Sequence, residues 1–324
     1  MLKKILKRLL QLPADALIAS SKRLDERIDS RIEAAIINDP HVAAKYYPYE
    51  ATRTSYLLRK VNDDLPPRGF ELPIPPLKLR VHRGSAEQYL SVGPEFIARM
   101  KSILAEGGFS LSSQSRVLDL GCGDGMMIRA FYNLAQSSEV WGVDISATHV
   151  VWCQQHLSPP FKFVTTTSFP HLPFADSYFD LIYAGSVFTH IDDLSDAWLL
   201  ELKRIVRPGG RLYLTVHDKH TIDIIYRTRR GLLPVLQRFD EECHFSAIDF
   251  AMFSIGRTPG AGDREGQAQV FYDIDYLRKH WGNYLKISSV TPEAYGYQTA
   301  VVLEKPSNSV RDSLTTTAHG GWQV

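Results

Sequence analysis

The chain has 324 residues, 44% hydrophobic and 23% charged, which suits a globular protein with one sizeable core plus additions. Its formal net charge of +1 offers no general attraction for nucleic acid, and its three cysteines, Cys122, Cys153 and Cys243, are too few and too scattered for a disulfide framework or a zinc site. No apolar run approaches the roughly 18 residues that span a membrane, and the charged N-terminal stretch lacks an apolar leader core; the expectation is a cytoplasmic protein, neither secreted nor integral to a membrane.

The first segment, MLKKILKRLLQL, places Leu2, Ile5, Leu6, Leu9 and Leu10 at helical spacing, with Lys3, Lys4, Lys7 and Arg8 on the other face. That pattern predicts a short basic amphipathic helix. Beyond Pro13 a second helical pattern runs through Leu17, Leu24, Ile28, Ile32 and Ile36 among mixed charges, suited to a coiled-coil seam or to packing on the main domain. Residues 1–40 thus form a helical arm, a candidate for peripheral contact with the inner membrane surface or for self-association; the plainer alternative is a helix packed on its own domain. Residues 41–85, ending in DDLPPRGFELPIPPLKLRVHRG, are too rich in proline for a helix and read as an extended connector with apolar anchors.

An alternating pattern follows. RVLDL (116–120) reads as a strand, 124–136 as a helix, EVWGVDI as a strand, 147–156 as a helix and FKFVTT as a strand. FDLIYAGSV supplies a fourth strand, DAWLLELKRIV a helix closed by RPGG, and RLYLTV a fifth strand. Strands separated by such helices imply a parallel sheet covered on both faces, whose ligands bind outside the carboxyl ends of the strands. The last stretch, 307–324, has no periodicity, is rich in Ser, Thr and Gly, and reads as a disordered tail.

VLDLGCGDG, residues 117–125, joins the first strand to its helix through Gly121, Cys122, Gly123, Asp124 and Gly125. A glycine turn there lets backbone approach a ligand and offers amide donors. A dinucleotide fingerprint would read G-x-G-x-x-G; here the third glycine comes one residue early and Met126 stands in its place. Asp144, closing the second strand 19 residues beyond Gly125, is placed to accept from both hydroxyls of a ribose. The ligand is therefore read as a nucleoside without a diphosphate.

VLDLGCGDG, WGVDIS, LPFADSYFDLIYAGSVFTHI and LKRIVRPGGRLYLTV stand in the order and spacing of the class I S-adenosylmethionine-dependent methyltransferases, and residues 110–217 resemble that family. The resemblance implies an α/β, Rossmann-like doubly wound sheet of seven strands with an antiparallel last hairpin, in a methyltransferase domain over 86–306. It implies S-adenosyl-L-methionine as cofactor, its methionine end held by Gly121, Cys122, Gly123 and Gly125 with Asp119 supporting the loop from beneath. Asp144 would take the ribose hydroxyls, Ile145 would lie against the adenine, and Gly185 would line the same site. Where many members carry Gly-Asp before the LPF motif, this chain has Thr167 and Ser168, whose hydroxyls or carbonyls are the candidates for the adenine amino group. The flanks LPIPPLKLRVHRGSAEQYLSVG and VFYDIDYLRKHWGNYLKISSVTPEAYGYQTAVVLEKP are similar to bacterial methyltransferases that accompany glycosyltransferases in cell-surface polysaccharide synthesis. That similarity points to a sugar or glycolipid acceptor.

Methyl transfer to a hydroxyl needs alignment and profits from a base, since the hydroxyl loses a proton. His190, followed by Asp192 and Asp193, is the first candidate base; His217, beside Asp218, is the weaker one. The plainer role for His190 is to cap the following helix or line the cofactor pocket, and for His217 to hydrogen-bond its own loop. No metal-ligand spacing is present. The excursion 218–270 separates the fifth strand from FYDIDYLRKHW, where relatives have the helix leading into the last hairpin, and reads as a lid or acceptor-binding module. Its seven Lys and Arg against eight Asp and Glu leave no basic stripe for nucleic acid, which disfavours an RNA or protein substrate. Arg227, Arg229 and Arg230 are candidates to clamp an anion, and Tyr272 and His244 to reach the pocket. The rival from another class is a binding scaffold that uses the fold without catalysis.

If the arm is a surface anchor, deleting residues 1–12 reduces binding to anionic vesicles in a flotation assay. Equal binding favours packing or self-association.

Overall fold

The computed structural model describes residues 46–48, 57–59, 72–81, 84–229, 232–247, 249–255 and 268–307; the arm 1–40, most of the connector, Arg230 and the tail beyond 307 lie outside them. The chain divides into compact units 1–47 and 48–324, and everything below concerns the second. Seven strands are central: β1 (Val117–Leu120), β2 (Val140–Asp144), β3 (Lys162–Thr165), β4 (Phe179–Ala184), β5 (Val206–Val216), β8 (Lys286–Tyr295) and β9 (Gln298–Glu304). Their order is β3-β2-β1-β4-β5-β9-β8, parallel from β3 to β5 and antiparallel at β9 and β8. A short strand, Leu57–Arg59, pairs antiparallel with β3. This is the Rossmann-like doubly wound sheet with an antiparallel last hairpin that the family resemblance implied.

Alternation along the buried strands builds two cores. Val117, Leu181, Tyr183, Tyr213, Ala300 and Val302 face a layer formed by α1 (Ala86–Glu106) and α3 (Ala147–His156). Leu118, Leu120, Ile182, Ala184, Leu212 and Leu214 face the layer of α4 (Ser195–Ile205) and α7 (Ile274–His280). Asp119, by the same period of two, points with Val117 into the first layer. The starts of α1 and α3 are set by Ser85, in a capping box with Gln88, and by Ser146, which accepts from the His149 amide.

The helix expected over 124–136 does not form as one piece. Gly125 takes φ 81°, a single 3-10 turn spans Ile128–Phe131, and only α2 (Tyr132–Ala135) is α-helical. Asp124 causes the break: its carboxylate accepts from the Met126 amide (3.3 Å) and from the Val81 amide of the connector (3.0 Å), which holds the chain in a turn.

The excursion after β5 has a core of its own. α5 (Lys219–Thr228), α6 (Leu233–Cys243), β6 (Met252–Ile255) and β7 (Gln269–Tyr272) gather Ile222, Ile225, Leu236, Phe245 and Phe271 into one cluster. Phe253 stacks on Phe271 and on Phe239 at 4.9 and 5.2 Å between centroids. The excursion ends in a strand where a helix from 271 was expected: β7 runs to Tyr272, and Asp273 caps α7 by accepting from the Tyr276 amide. Tyr272 hydrogen-bonds the carbonyls of Phe188 and Ile191 and is buried, and His244 is an exposed left-handed cap of α6. Both therefore serve the fold. Arg227 and Arg229 end α5 as exposed residues.

Asp218 binds the module to the sheet. Its carboxylate accepts from the Thr221 amide at the start of α5 (2.9 Å) and from the Thr299 hydroxyl of β9 (2.8 Å), and the residue is buried. Asp218→Ala loses a cap and strands a buried hydroxyl, so it is expected to cost about 2–4 kcal/mol in urea unfolding.

Candidate cofactor and acceptor site

The residues predicted to hold the cofactor, with His190 and His217, stand at or just beyond the carboxyl ends of β1 to β5, whereas Arg227, Arg229 and His244 lie on the insertion's helices. The glycine loop folds back over β2: the Gly121 and Cys122 amides donate to the Val143 carbonyl (2.7 and 3.1 Å). The Gly123 amide donates to Asp144 Oδ2 (2.7 Å), and the Ser146 amide to Asp144 Oδ1 (2.8 Å). Gly121 has φ 76°, and a Cβ there would stand 2.3 Å from Val187; at Gly125, with φ 81°, it would stand 2.5 Å from Leu157. These glycines are required by the protein's own packing and left-handed backbone, a reason the sequence reading assigned to the ligand. Gly185 likewise makes room for the ring of Tyr295, 3.0 Å from where a Cβ would sit.

Cys122 turns inward. Its thiol is buried, and burial pushes its pKa well up, so only its backbone belongs to the loop's outer face. Asp119 is 2% exposed, and its Oδ2 has no hydrogen-bond partner among the described residues, so through this oxygen it is no strut for the loop. Burial, reinforced by the carboxylates of Asp144 and Asp124 and partly offset by the neighbouring Tyr183 hydroxyl, raises its pKa to about 8. Ile145 is 43% exposed beside Asp144, a bare apolar side chain where an adenine is expected. Thr167 accepts from the Phe169 amide through its hydroxyl (3.3 Å), and the Ser168 carbonyl accepts from the Trp198 indole (3.1 Å). Phe169 itself is 52% exposed.

The sequence reading missed the cover of the loop. The Val81 amide and the Tyr89 hydroxyl hold Asp124, the latter at its carbonyl (3.0 Å), while His149 Nε2 meets the Leu79 carbonyl (3.0 Å). Arg129 donates to the carbonyls of Leu72 and Pro73 and lies over the Tyr89 ring at 5.3 Å. Residues 72–81 are thus a strap across the glycine loop. Its proline-rich composition showed an extended chain but not its course.

The loop after β4 carries His190. Ser186 takes φ 59°, a costly conformation for a residue with a Cβ, held because its amide donates to Thr215 Oγ1 (2.7 Å) and its hydroxyl accepts from Gln298 Nε2 (2.9 Å). His190 Nδ1 lies 2.8 Å from the Ala268 carbonyl, which can only accept, so Nδ1 carries the proton and the neutral ring's bare nitrogen is Nε2. His217 is different: 2% exposed, with neither ring nitrogen partnered among the described residues. Burial and the nearby His190 hold its pKa down at about 3, too low for the base that the sequence reading allowed it to be.

One oxygen of the buried Asp119 carboxyl has no hydrogen-bond partner among the described residues and two like charges act on the group, which suits a ligand that brings positive charge; S-adenosylmethionine carries a sulfonium and an ammonium. Asp144 keeps acceptor capacity on both oxygens beyond its two amide bonds.

The proton on Asp119 stabilises the fold. That contribution is complete below the ordinary carboxylate range near ~4 and is lost as pH rises to about 8, because the unfolded chain releases the proton first. Asp119→Asn cannot ionise, so its stability is expected to gain on the ligand-free wild type between pH 5 and 8, by at most about 1.4 kcal/mol per pH unit in thermal unfolding.

Residues 118–214 match the family model described as a methyltransferase domain. The malonyl-[acyl-carrier protein] O-methyltransferase of Hahella chejuensis is 26% identical over 121 residues, 36% of this chain and 43% of its own. The demethylmenaquinone methyltransferase of Lactiplantibacillus plantarum is 35% identical over 107 residues, 32% of this chain and 45% of its own. The chain thus spans less than half the length of these relatives. Among solved structures, magnesium protoporphyrin IX methyltransferase from Synechocystis PCC 6803, with bound S-adenosylhomocysteine, aligns with a TM-score of 0.43 at 20% identity, over 68% of this chain and 88% of that one. With its glycine loop, Asp144 and parallel strand order, the segment 118–214 is an S-adenosylmethionine-dependent methyltransferase domain.

Proposed function

We propose that the whole chain O-methylates a hydroxyl of a carbohydrate, a glycolipid or a similar small molecule. The observation that carries the reading is the fixed tautomer of His190: Nδ1–H is committed to the Ala268 carbonyl, which leaves Nε2 to receive a proton. A hydroxyl must lose that proton as its oxygen becomes the nucleophile. The carbohydrate side of the proposal rests on the flanking segments' resemblance to methyltransferases of surface polysaccharide synthesis. Relatives named for O-methylation and for quinone C-methylation both match this chain, and the chemistry of the labelled product separates the two.

S-adenosylmethionine, when bound, supplies a methyl group on a positively charged sulfur. The chain's own residues do the rest. The Gly121–Gly125 loop and Asp119 would hold the methionine end, Asp144 the ribose, and Ile145 with Thr167 and Ser168 the adenine; Gly185 and Tyr295 form the floor. His190 Nε2 takes the hydroxyl proton, and the insertion 218–270 covers the acceptor and keeps water from it. On this reading the domain runs over 86–306, and the arm 1–40 is an appendage that tethers or pairs it.

Methyl-labelled S-adenosylmethionine and an extract of the source cells' glycans and lipids test this. The expected label sits in a sugar as an ether, stable to mild alkali and released by hydriodic acid. An alkali-labile ester or an acid-resistant C-methyl group would contradict it. His190→Ala is expected to slow turnover at least ~100-fold with cofactor affinity nearly intact by calorimetry. Unchanged turnover removes His190 from the mechanism, and absence of any cofactor binding would instead favour a scaffold.

A further inference from the structure

His217 directly follows β5, and its backbone and ring face different tasks. Its carbonyl accepts from the Tyr272 amide (2.8 Å), which binds β7 of the insertion to the sheet. Its ring packs against Phe271 and Tyr297 at 4.9 and 5.7 Å between centroids, close enough to His190 to feel its charge. The adjacent carboxylate offers it nothing, since Asp218 is occupied by Thr221 and Thr299. A buried imidazole with both nitrogens unsatisfied among the described residues carries the cost of polar groups taken from water without a new partner. The surrounding rings could have been met by a phenylalanine at no such cost.

We infer that His217 is a specificity-determining residue that hydrogen-bonds a hydroxyl of an uncharged acceptor unit, beside the base His190. This rests on the hydroxyl-methylation reading above. A neutral imidazole has one N–H and one bare nitrogen, and a hydroxyl satisfies either, by accepting from the first or donating to the second. A carboxylate or phosphate can only accept, and it would bring a charge against two aromatic rings and a histidine with no fixed cation among them. The site therefore favours a neutral hydroxylated ring and selects against an anionic one. Tyr297 closes the ring off from outside. Its carbonyl is pinned by the Thr221 hydroxyl (2.8 Å), but its side chain is 37% exposed, and the proposal has the acceptor reach His217 where that side chain swings aside.

The test uses the full-length protein, methyl-labelled S-adenosylmethionine and the same cell extract. His217→Phe is expected to raise the extract concentration for half-maximal rate at least tenfold, with cofactor affinity within twofold of wild type and an unfolding midpoint unchanged or higher. His217→Gln, which offers one donor and one acceptor, recovers most of the loss. Acid hydrolysis of the product is expected to release a labelled monosaccharide that an anion exchanger does not retain. A Phe variant that saturates like wild type, a Gln variant no better than Phe, or a labelled uronic acid or phosphosugar overturns the inference. If the wild type binds cofactor and labels nothing in the extract, the hydroxyl-methylation reading fails, and this inference fails with it.

Discussion

The Asp144 carboxylate holds two backbone amides that come from opposite directions, Gly123 from the turn after β1 and Ser146 from the turn into α3. Charge-assisted bonds of this kind are roughly twice as strong as neutral ones, and here they pin a loop whose backbone is left-handed at three positions. Once the loop is pinned over the Val143 carbonyl, the amides, the exposed Ile145 and the ends of β1 and β2 share one geometry. Asp119 lies in the same neighbourhood with the opposite solvation. Asp144 is met by amides and is partly open, whereas Asp119 is sealed in an apolar layer with two like charges acting on it. One carboxylate shapes the loop, and the other leaves an electrostatic demand for a cation.

The acceptor side depends on a second set of contacts. β7 runs as a bracket between two loops: its Val270 amide donates to the Thr189 carbonyl and its Tyr272 amide to the His217 carbonyl, both at 2.8 Å. The same strand's approach places the Ala268 carbonyl on His190 Nδ1. The insertion thus sets the tautomer of one histidine and buries the other. Its own cohesion comes from stacked phenylalanines, which fill space without asking for hydrogen bonds.

Much of the parallel half of the fold was legible in the sequence. The strands VLDL, VWGVD and FDLIYA are short buried runs punctuated by glycine or aspartate, and both the helix at 147–156 and the one near 195–205 carry their own period. Asp144 was legible because its spacing from the glycine turn follows from one strand-turn-helix-strand unit. A single helix over 124–136 is not what forms, because the Asp124 carboxylate accepts from the Val81 amide, 43 residues away, and holds the chain in a turn.

By itself the sequence determined the sheet, the glycine turn and the carboxylate at the second strand's end, because these depend on neighbours within one or two elements. The tertiary structure alone decided the chemical states. The raised pKa of Asp119, the inward turn of Cys122, the proton on His190 Nδ1 and the neutral ring of His217, without a hydrogen-bond partner among the described residues, all follow from burial or from partners far along the chain, Ala268 being 78 residues from His190. Ionisation and tautomer respond to solvation and to nearby dipoles in space, and no residue carries either in its own identity or in its spacing from its neighbours.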